Sequence, residues 1–493
     1  IVIPDETEAK SLVEQLKGAQ WRVAEVTRKE RKDQPSTPFS TSLLQQQASV
    51  RLRFSPKKTM MIAQQLYEGV DLPEGSTALV TYIRTDSFRV SEDAIKECRD
   101  FVAHKYGEKF LNEQVRRYRS KKSAQEAHEA IRPTYVNLVP DEIKGHLTPD
   151  QYKLYQLIWN RFVATQMKPA EWLMTRGRVE ATPANPIQIK IAGPDKGDKI
   201  SFTAQHAFFT ATAQKLVFSG YLEITNVNPV NEASSEEDEE EASEKLSQKD
   251  AGEVLAVLKE NDSLNLEQLT PDQHFTKAPP RYSEASLVKM LEKYDIGRPS
   301  TYAPIISTIQ GRGYVRRFNR YLFATDLGIL VTDKLQDFFE DIMNTDFTAQ
   351  MEDKLDLVEE AKTEWLTLLK DFYKVFEKDL EKAKFGMTKE KGMESEGGEK
   401  CEKCSAPMVI RWSRRGKFLA CSKYPDCMNT QSITSPLDSD MEKALEQINE
   451  ACPKCSKRMV VKSGPRGRFL ACPGYPECKS TKPIRPYLPK LDE

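Results

Sequence analysis

The chain has 493 residues, of which 39% are hydrophobic and 30% are charged, and its formal net charge is −1. Enough apolar side chains are present to bury a core, which excludes a mostly disordered protein. At roughly 100 to 200 residues per domain, this length predicts about three to five domains. No apolar run approaches the roughly 20 residues that cross a bilayer, and the opening IVIPDETEAK lacks the features of a signal peptide. We therefore expect a cytoplasmic protein without a membrane segment.

In the first half of the chain, the spacing of apolar residues predicts helices and strands, and Pro, Gly and Ser mark their ends. An acidic run at 234–241 follows, and we interpret its six acidic residues as a solvated loop and an internal boundary. In chain order, the predicted elements are a loop (34–42), a helix beginning near Gln45, a helix from Pro56 to Gly69, a strand (78–82), helices over about 91–106 and 149–167, and strands from 171 to about 226.

The second half predicts a helix pair around a tight turn. Ser300 after Pro299 suits a helix start, because Ser can cap free backbone N–H groups and Pro lacks one. The helix pair and the Gly-rich stretch after it predict a winged-helix-like unit, a geometry that serves DNA binding or simple packing. The predicted elements are a strand (254–258), helices over about 283–294 and 300–310, a long helix over about 348–384 and a linker (389–400).

Eight of the nine cysteines form two sets with the same spacing, C-x2-C-x16-C-x5-C, and the second set lies 51 residues after the first. Four thiolates at this spacing suit tetrahedral zinc. The alternative is a pair of disulfides, which the absence of an export signal disfavours. We expect closed zinc sites that support folding rather than catalysis. The predicted ligands are Cys401, Cys404, Cys421 and Cys427, then Cys452, Cys455, Cys472 and Cys478.

The cysteine-rich region is basic, with 17 Lys and Arg against 10 Asp and Glu from residue 401 to 493. Cations mixed with aromatic rings suit single-stranded nucleic acid, because phosphates meet the cations and bases stack on the rings. We expect Phe418 and Phe469, however, to pack beneath the zinc ions. The predicted DNA contacts of the two ribbons are Arg411, Arg414, Arg415, Arg466 and Arg468.

The segment Tyr82-Ile83-Arg84-Thr85-Asp86-Ser87 combines a phenol with a guanidinium two residues later. On a strand, residues i and i+2 share a face, so Arg84 is expected beside Tyr82, where it can favour phenolate and bind phosphate. A His and an Arg occur together in Gln125-Glu126-Ala127-His128-Glu129-Ala130-Ile131-Arg132-Pro133, and Arg298 precedes a predicted helix start. Together these segments predict phosphate handling.

The segments YIRTDS, QEAHEAIRP, PPRYSEASLVKMLEKYDIGRPSTYAPIISTIQGRGYV and FTAQMEDKLD resemble those of bacterial DNA topoisomerase I, in the type IA topoisomerase family. PFSTSLLQQQAS and KKTMMIAQQLYE also match that pattern. The resemblance implies a multidomain mixed α and β fold, with a toroidal core of arch and base and with two C-terminal four-cysteine zinc ribbons. The expected parts are a central catalytic region (1–390), a linker (391–400), zinc ribbon 1 (401–430), a spacer (431–451), zinc ribbon 2 (452–482) and a tail (483–493).

The resemblance also implies an activity, the ATP-independent relaxation of negatively supercoiled DNA by cleavage, strand passage and religation. Tyr82 would attack single-stranded DNA and form a 5′-phosphotyrosine. Arg84 would stabilise the charge on phosphorus, and His128 would contact the phosphate or assist proton transfer. The DNA-contacting residues implied in this region are Arg132, Gly297, Arg298, Ser300 and Thr301.

Family members open with a Toprim domain whose acids hold Mg²⁺, and this sequence has no such domain. Because the chain begins with Ile1, we expect an N-terminal portion to be missing and its restoration to permit magnesium-dependent relaxation. One DxDxE string, at 438–442, follows no apolar strand, so we do not assign it to magnesium. The resemblance implies a monomer near the nucleoid that binds Zn²⁺ and DNA and contacts RNA polymerase through its ribbons.

Two other classes stay open. The chain could be a non-catalytic scaffold for single-stranded DNA, or a zinc-ribbon partner of transcription proteins. Within the family, topoisomerase III is the nearer rival, whereas reverse gyrase is disfavoured because the sequence has no helicase P-loop.

Overall fold

The computed structural model describes residues 3, 5–119, 128–192, 199–225, 255, 257–276, 278–318, 320–388, 398–413, 416–432, 450–464 and 467–483. The acidic run, most of the linker and the DxDxE string lie outside them. The chain divides into two compact units, one of Ile1–Arg53 and Thr59–Thr276, the other of Phe54–Lys58 and Lys277–Glu493. In the described part, no helix is both long and apolar enough to cross a membrane.

Helix α5 (Pro149–Ala164) lies in the core of the first unit. Its start is fixed by a capping box, in which the Gln151 N–H donates to the Thr148 hydroxyl and the Thr148 N–H donates to the Gln151 side chain. Leu154, Ile158 and Phe162 recur at helical spacing and are buried. The α-helices described in full up to residue 276 are α1 (Glu6–Leu16), α2 (Thr41–Gln47), α3 (Pro56–Glu68), α4 (Glu92–Tyr106), α5 (Pro149–Ala164) and α6 (Leu222–Thr225).

A four-stranded antiparallel sheet in the order β7 (Ala207–Phe218), β4 (Ala170–Thr182), β1 (Gln20–Asp33) and β8 (Ser263–Leu264) forms the other half of the first unit. The predicted strands after residue 171 are confirmed as far as Phe218, whereas the last predicted residues form α6. The longest strand, β1, was not predicted, because its second half reads as a run of charges without apolar alternation. The strands up to residue 276 are β1 (Gln20–Asp33), β2 (Val70–Leu72), β3 (Gly75–Thr77), β4 (Ala170–Thr182), β5 (Ile187–Ala192), β6 (Lys199–Ala204), β7 (Ala207–Phe218) and β8 (Ser263–Leu264).

The second unit begins with the predicted helix pair and hairpin. Two helices, α7 (Glu284–Lys293) and α8 (Tyr302–Gly311), pack through Val288 and Ile306, and the hairpin of β9 (Val315–Phe318) and β10 (Tyr321–Ala324) follows. This order of elements is that of a winged helix. The remaining helices are α9 (Asp326–Phe338), α10 (Glu340–Met343), α11 (Thr345–Glu359) and α12 (Trp365–Gly386).

Three sequence predictions are wrong in this region and the boundary before it. Residues 255 and 257 are helical, so the strand over 254–258 is absent from them. The long helix over 348–384 is two helices, because Ala361 takes the left-handed conformation with φ +56° that ends α11. Ser300 does not cap α8, whose first flanking residue is Thr301 without a side-chain cap.

The two cysteine sets lie in separate three-stranded antiparallel sheets of the same order. The backbone shows the same repeat. Ser405 (φ +56°) and Ser456 (φ +59°) each directly follow the first cysteine pair of their set, and both have the left-handed conformation. The strands are β11 (Met408–Ser413), β12 (Gly416–Cys421) and β13 (Thr430–Ser432), then β14 (Val460–Gly464), β15 (Gly467–Ala471) and β16 (Thr481–Pro483).

Candidate active site and zinc centres

Tyr82 lies in a loop rather than in the predicted strand. Val80 alone forms a bridge there, with Pro133, and a proline has no N–H to extend such pairing. On one side of Tyr82, the Thr81 N–H donates to the Arg132 carbonyl at 2.9 Å. The Thr81 hydroxyl donates to the Ala130 carbonyl at 2.7 Å.

The other side of the loop is fixed to the start of α2 through Thr41. The buried Thr41 hydroxyl lies 2.8 Å from the Ile83 carbonyl and 3.0 Å from the Thr85 carbonyl, and it accepts the Thr85 N–H at 2.8 Å. The Thr41 N–H also donates to the Thr85 carbonyl, at 2.8 Å. Tyr82 is therefore anchored on both flanks by backbone contacts to distant segments.

Two rings adjoin the Tyr82 phenol. The His128 ring centroid is 5.2 Å from that of Tyr82, and the Tyr67 centroid is 5.7 Å away in an edge-on arrangement. The Tyr82 side chain remains 39% exposed, so it can meet a ligand from solvent. The sequence interpretation brought Tyr82 and His128 together, but it did not single out Tyr67. The only signal for Tyr67 was its place at the end of the helical segment KKTMMIAQQLYE.

Arg84 shares the exposed side of the loop with Tyr82, although no strand forms. Exposure alternates along the loop, because Ile83 and Thr85 are buried whereas Tyr82 and Arg84 are exposed. The expected two-residue alternation thus holds through tertiary packing rather than through a sheet. Among the described residues, no ion pair involves the Arg84 guanidinium.

Arg132 has protein partners for its guanidinium. Its side chain is only 12% exposed and pairs with Glu129 at 2.8 Å. It also donates to the Pro133 carbonyl at 2.9 Å. These contacts give Arg132 a role in shaping the segment that carries His128, and its predicted DNA contact stays a prediction.

In the second unit, Gly297, Arg298 and Thr301 form a closed turn before α8. The Thr301 hydroxyl accepts the Arg298 N–H at 2.8 Å and donates to the Arg298 carbonyl at 3.0 Å. Gly297 has φ +80°, and a Cβ there would lie 2.7 Å from the Thr301 hydroxyl, so the turn requires glycine. Ser300 is exposed at the tip of this turn.

The Arg298 side chain, expected at a DNA phosphate, pairs with carboxylates of α11. Its Nη2 lies 2.8 Å from Asp356 and 3.7 Å from Asp353. Although partial burial works against the charge, the hydrogen bond and the charge of Asp356 hold the pKa of Arg298 above its ordinary value. A carboxylate therefore occupies the position where a phosphate oxygen was expected.

Each cysteine set brings four sulfurs together. In the first ribbon, the Cys401–Cys427 and Cys404–Cys421 sulfurs are 3.6 and 3.3 Å apart. In both sets all sulfurs lie within 4.8 Å of one another. A sulfur tetrahedron at about 2.3 Å from zinc has edges of about 3.8 Å, whereas a disulfide requires about 2.05 Å. The geometry therefore fits zinc and not the disulfide alternative.

The pKa values of the thiols differ within each set. Burial opposes ionisation of Cys401, but the backbone N–H groups of Lys403 and Cys404 lower its pKa to about 6. Burial and the neighbouring thiols raise the pKa of Cys421 to about 12. Cys452 and Cys472 repeat this pair, at about 6 and about 12. Four sulfurs this close cannot all ionise alone, and Zn²⁺ at their centre would stabilise four thiolates.

The ribbon cores use different side chains from those expected. Leu419 and Leu470 are buried against the cysteines, whereas Phe418 and Phe469, one position earlier, are only partly buried. Adjacent strand residues face opposite sides, so the phenylalanines lie away from the cysteine core. The prediction that they pack beneath zinc is wrong.

The ribbon surface agrees with the predicted mixture of cations and rings where it is described. The Arg411 guanidinium lies 5.3 Å from the Tyr424 ring centroid. Tyr424 is 49% exposed, and its counterpart Tyr475 is 65% exposed. The Arg468 backbone lies in β15. Three of the predicted contacts, Arg414, Arg415 and Arg466, lie outside the described residues.

Magnesium does not fit the described residues. Among the described residues, the groups of three or more potential metal ligands are the two cysteine sets. These residues include no comparable cluster of carboxylates. Thiolates and their tetrahedral geometry suit Zn²⁺, whereas Mg²⁺ prefers oxygen ligands. No step of the chemistry below is therefore assigned to Mg²⁺.

Comparisons with known proteins agree with this geometry. The sequence model of the family described as DNA topoisomerase matches residues 2–370, and the one described as topoisomerase DNA binding C4 zinc finger matches 398–436 and 449–487. The fold is similar to that of full-length topoisomerase I from Thermotoga maritima, at 31% identity and a TM-score of 0.60. That similarity covers 92% of this chain but 64% of the Thermotoga chain, so this chain spans less than two thirds of that protein. The chain belongs to the DNA topoisomerase family, in the bacterial type IA topoisomerase I group.

Proposed function

We propose that this chain is the strand-cleaving part of an isomerase that relaxes negatively supercoiled DNA without ATP. The observation that carries the proposal is Tyr82, an exposed phenol beside His128 in a loop anchored on both flanks. Family membership supports DNA as the substrate. The exposed position of Tyr82 supports a single strand, because a phosphodiester must approach the phenol closely and in line.

The proposed reaction exchanges one phosphodiester for another. The Tyr82 oxygen attacks phosphorus, the new O–P bond forms on the 5′ phosphate, and the bond to the 3′ oxygen breaks. The phenol loses its proton, and the leaving 3′ oxygen gains one and becomes a hydroxyl. Religation is the reverse reaction after a strand has passed. No ATP is required, because the covalent intermediate retains the ester bond.

Arg84 and His128 have the positions to assist this exchange. Arg84 is exposed on the same side of the loop as Tyr82, where its guanidinium can stabilise charge on the phosphate oxygens. The His128 ring adjoins the phenol and can contact the phosphate or take part in proton transfer. Arg298, in the other unit, would bind the strand after release from Asp356.

The ribbons are proposed to hold two structural Zn²⁺ ions and to contact single-stranded DNA. Their exposed tyrosines and the Arg411 cation support this, since stacking on rings and phosphate contacts bind single strands. Four further proposals rest on the family. They are RNA polymerase as a second partner, a monomeric state, a nucleoid-associated cytoplasmic location and a Mg²⁺ requirement through a Toprim domain. Pull-down of purified RNA polymerase with the wild-type chain and a 401–493 deletion tests the polymerase contact.

The decisive experiment is capture of a labelled single-stranded oligonucleotide on a denaturing gel. Wild type and Tyr82→Phe are compared, each alone and joined to the Toprim domain of a bacterial topoisomerase I, with Mg²⁺. A 3′ label should migrate with the protein and a 5′ label should appear on a shorter free strand, because Tyr82 retains the 5′ phosphate. Tyr82→Phe should abolish both signals.

The alternatives predict different results. Tight binding without adduct from either protein, in a folded fusion, would replace the enzyme with the DNA-binding scaffold. An adduct retained in Tyr82→Phe would move the nucleophile elsewhere. If deletion of residues 401–493 leaves the affinity for single-stranded DNA unchanged, the result favours the alternative in which the ribbons bind protein.

A further inference from the structure

One face of the four-stranded sheet in the first unit is rich in cations. In an antiparallel sheet, residues paired across strands lie on the same side, and successive residues alternate between sides. The register pairs Arg22 with Glu180, Glu25 with Arg178, Thr27 with Arg176 and Lys29 with Met174, so all eight lie on one side. Phe208 of β7 joins them through its pairing with Glu180. We name the part of this side that runs from the Arg22–Glu180 pair to the Lys29–Met174 pair the basic face, and its charged members are Arg22, Glu25, Lys29, Arg176, Arg178 and Glu180.

The two sides of the sheet differ in what covers them. The opposite side carries Ala181, which is buried with Leu16 of α1 and Ile187 of β5. On the basic face, Lys29, Arg176 and Arg178 are exposed. In the described part of the chain, these three cations have no carboxylate partner. The opposite side contributes Val23 and Ala181 to the core, whereas the basic face is accessible at Lys29, Arg176 and Arg178.

Arg178 and Phe208 form a cation–π pair on this face, the Arg178–Phe208 platform. The Arg178 guanidinium lies 3.9 Å from the Phe208 ring centroid, and the Phe208 side chain is 48% exposed. Nucleobases stack on exposed guanidinium planes as they do on exposed aromatic rings, and this pair offers both groups. Phosphates of the same strand can then meet neighbouring cations.

Glu180, the acid at one end of this face, is neutralised by its neighbours. The Glu180 side chain is only 7% exposed, and it accepts from Arg22 Nε at 2.8 Å. The His206 Nδ1 lies 2.7 Å from its other oxygen. Because these partners occupy the carboxylate, Glu180 supports the platform and repels a polyanion little.

We propose that the basic face binds single-stranded DNA, with phosphates at Lys29 and Arg176 and a base stacked on the Arg178–Phe208 platform. Duplex DNA would gain the phosphate contacts alone, because its base faces are covered by stacking. The site goes beyond the proposed function, since it uses other elements than the Tyr82 loop. It relies on that function only for DNA as the natural ligand.

Cross-linking of the full chain in the Tyr82→Phe background tests the site locally. The probe is an oligothymidine that carries 4-thiothymine, irradiated and mapped by peptide mass spectrometry. We expect a cross-link within residues 206–210. The double variant Lys29→Gln/Arg176→Gln should reduce it at least fivefold, and Phe208→Leu should do the same. The control Lys153→Gln/Lys215→Gln, which removes two exposed lysines outside the basic face, should retain it.

The salt dependence of binding gives a second readout. Each phosphate contact of a single strand contributes about 0.7 to the slope of log affinity against log salt, so the double variant should lower that slope by about 1.4. No cross-link at 206–210, or equal yields in the double variant and the control, would overturn the site. Equal cross-linking to a matched duplex would overturn the preference for single strands. The Tyr82 adduct is measured separately, so loss of that adduct with a retained cross-link would reject the enzyme and not the face.

Discussion

The guanidinium of Arg298 lies 2.8 Å from the carboxylate of Asp356, a residue 58 positions later on α11. A DNA phosphate would have to replace this carboxylate in order to use Arg298. We therefore expect Asp356→Asn to raise affinity for a single-stranded oligonucleotide, by roughly two- to fivefold, the scale of a partly exposed ion pair. Fluorescence anisotropy at fixed salt measures the change.

Asp353→Asn is the matched control, because it removes the same charge from the same helix but starts from a contact of 3.7 Å with a 73% exposed side chain. Its effect should be smaller. Equal gains from both variants would mean that only net charge matters. A loss of affinity in Asp356→Asn would mean that the carboxylate positions Arg298 for DNA.

Tyr67 is expected to hold the nucleophile in place through its edge contact with the Tyr82 ring. Such ring pairs contribute about 0.5–1.5 kcal/mol, which corresponds to roughly two- to tenfold in rate. Tyr67→Ala should slow adduct formation in the Toprim fusion by that factor, and Tyr67→Phe should retain the rate. Single-turnover kinetics at saturating oligonucleotide make the comparison. A loss in Tyr67→Phe as large as in Tyr67→Ala would assign the effect to the hydroxyl instead.

Thr41 should be essential to the shape of the Tyr82 loop. Thr41→Val keeps the side-chain volume but leaves buried backbone groups of Ile83 and Thr85 without the hydroxyl, at a cost of about 1–3 kcal/mol. Urea unfolding should show this loss, and adduct formation should fall with it. Thr41→Ser restores the hydroxyl and should recover most of both. Unchanged stability in Thr41→Val would show that the loop is held by its other contacts.

Local patterns in the sequence were sufficient for several parts of this molecule. The zinc ligands follow from cysteine spacing within each ribbon, and the start of α5 follows from Thr148, Pro149 and Gln151 within one turn. Residue types grouped the Tyr82 and His128 segments as phosphate handling, and the family resemblance assigned them to one reaction. Local signals therefore predicted elements whose determinants are close in sequence.

Features set by distant contacts were not predictable in this way. The Tyr82 strand is absent because Pro133, about 50 residues later, interrupts its pairing. The partner of Arg298 lies on another helix. Strand β1 escaped prediction because its second half is charged and exposed on both sides, so it lacks the alternation that marks a half-buried strand. In each case the missing information was the identity of the neighbour in space.

Zinc removal tests the two ribbons independently of DNA cleavage. Structural zinc supplies folding free energy directly, on the order of 10–16 kcal/mol in isolated zinc-finger peptides, so a ribbon without its ion should unfold. Cys421→Ser and Cys472→Ser remove equivalent ligands from the first and the second ribbon. Each variant should bind one zinc ion per chain where the wild type binds two, measured by atomic absorption after dialysis. Protease should then cut the affected ribbon and spare the other, because their sheets are separate. Loss of both ions from one substitution would show that the ribbons fold as a coupled pair, and retention of both would exclude the four-cysteine ligand sets.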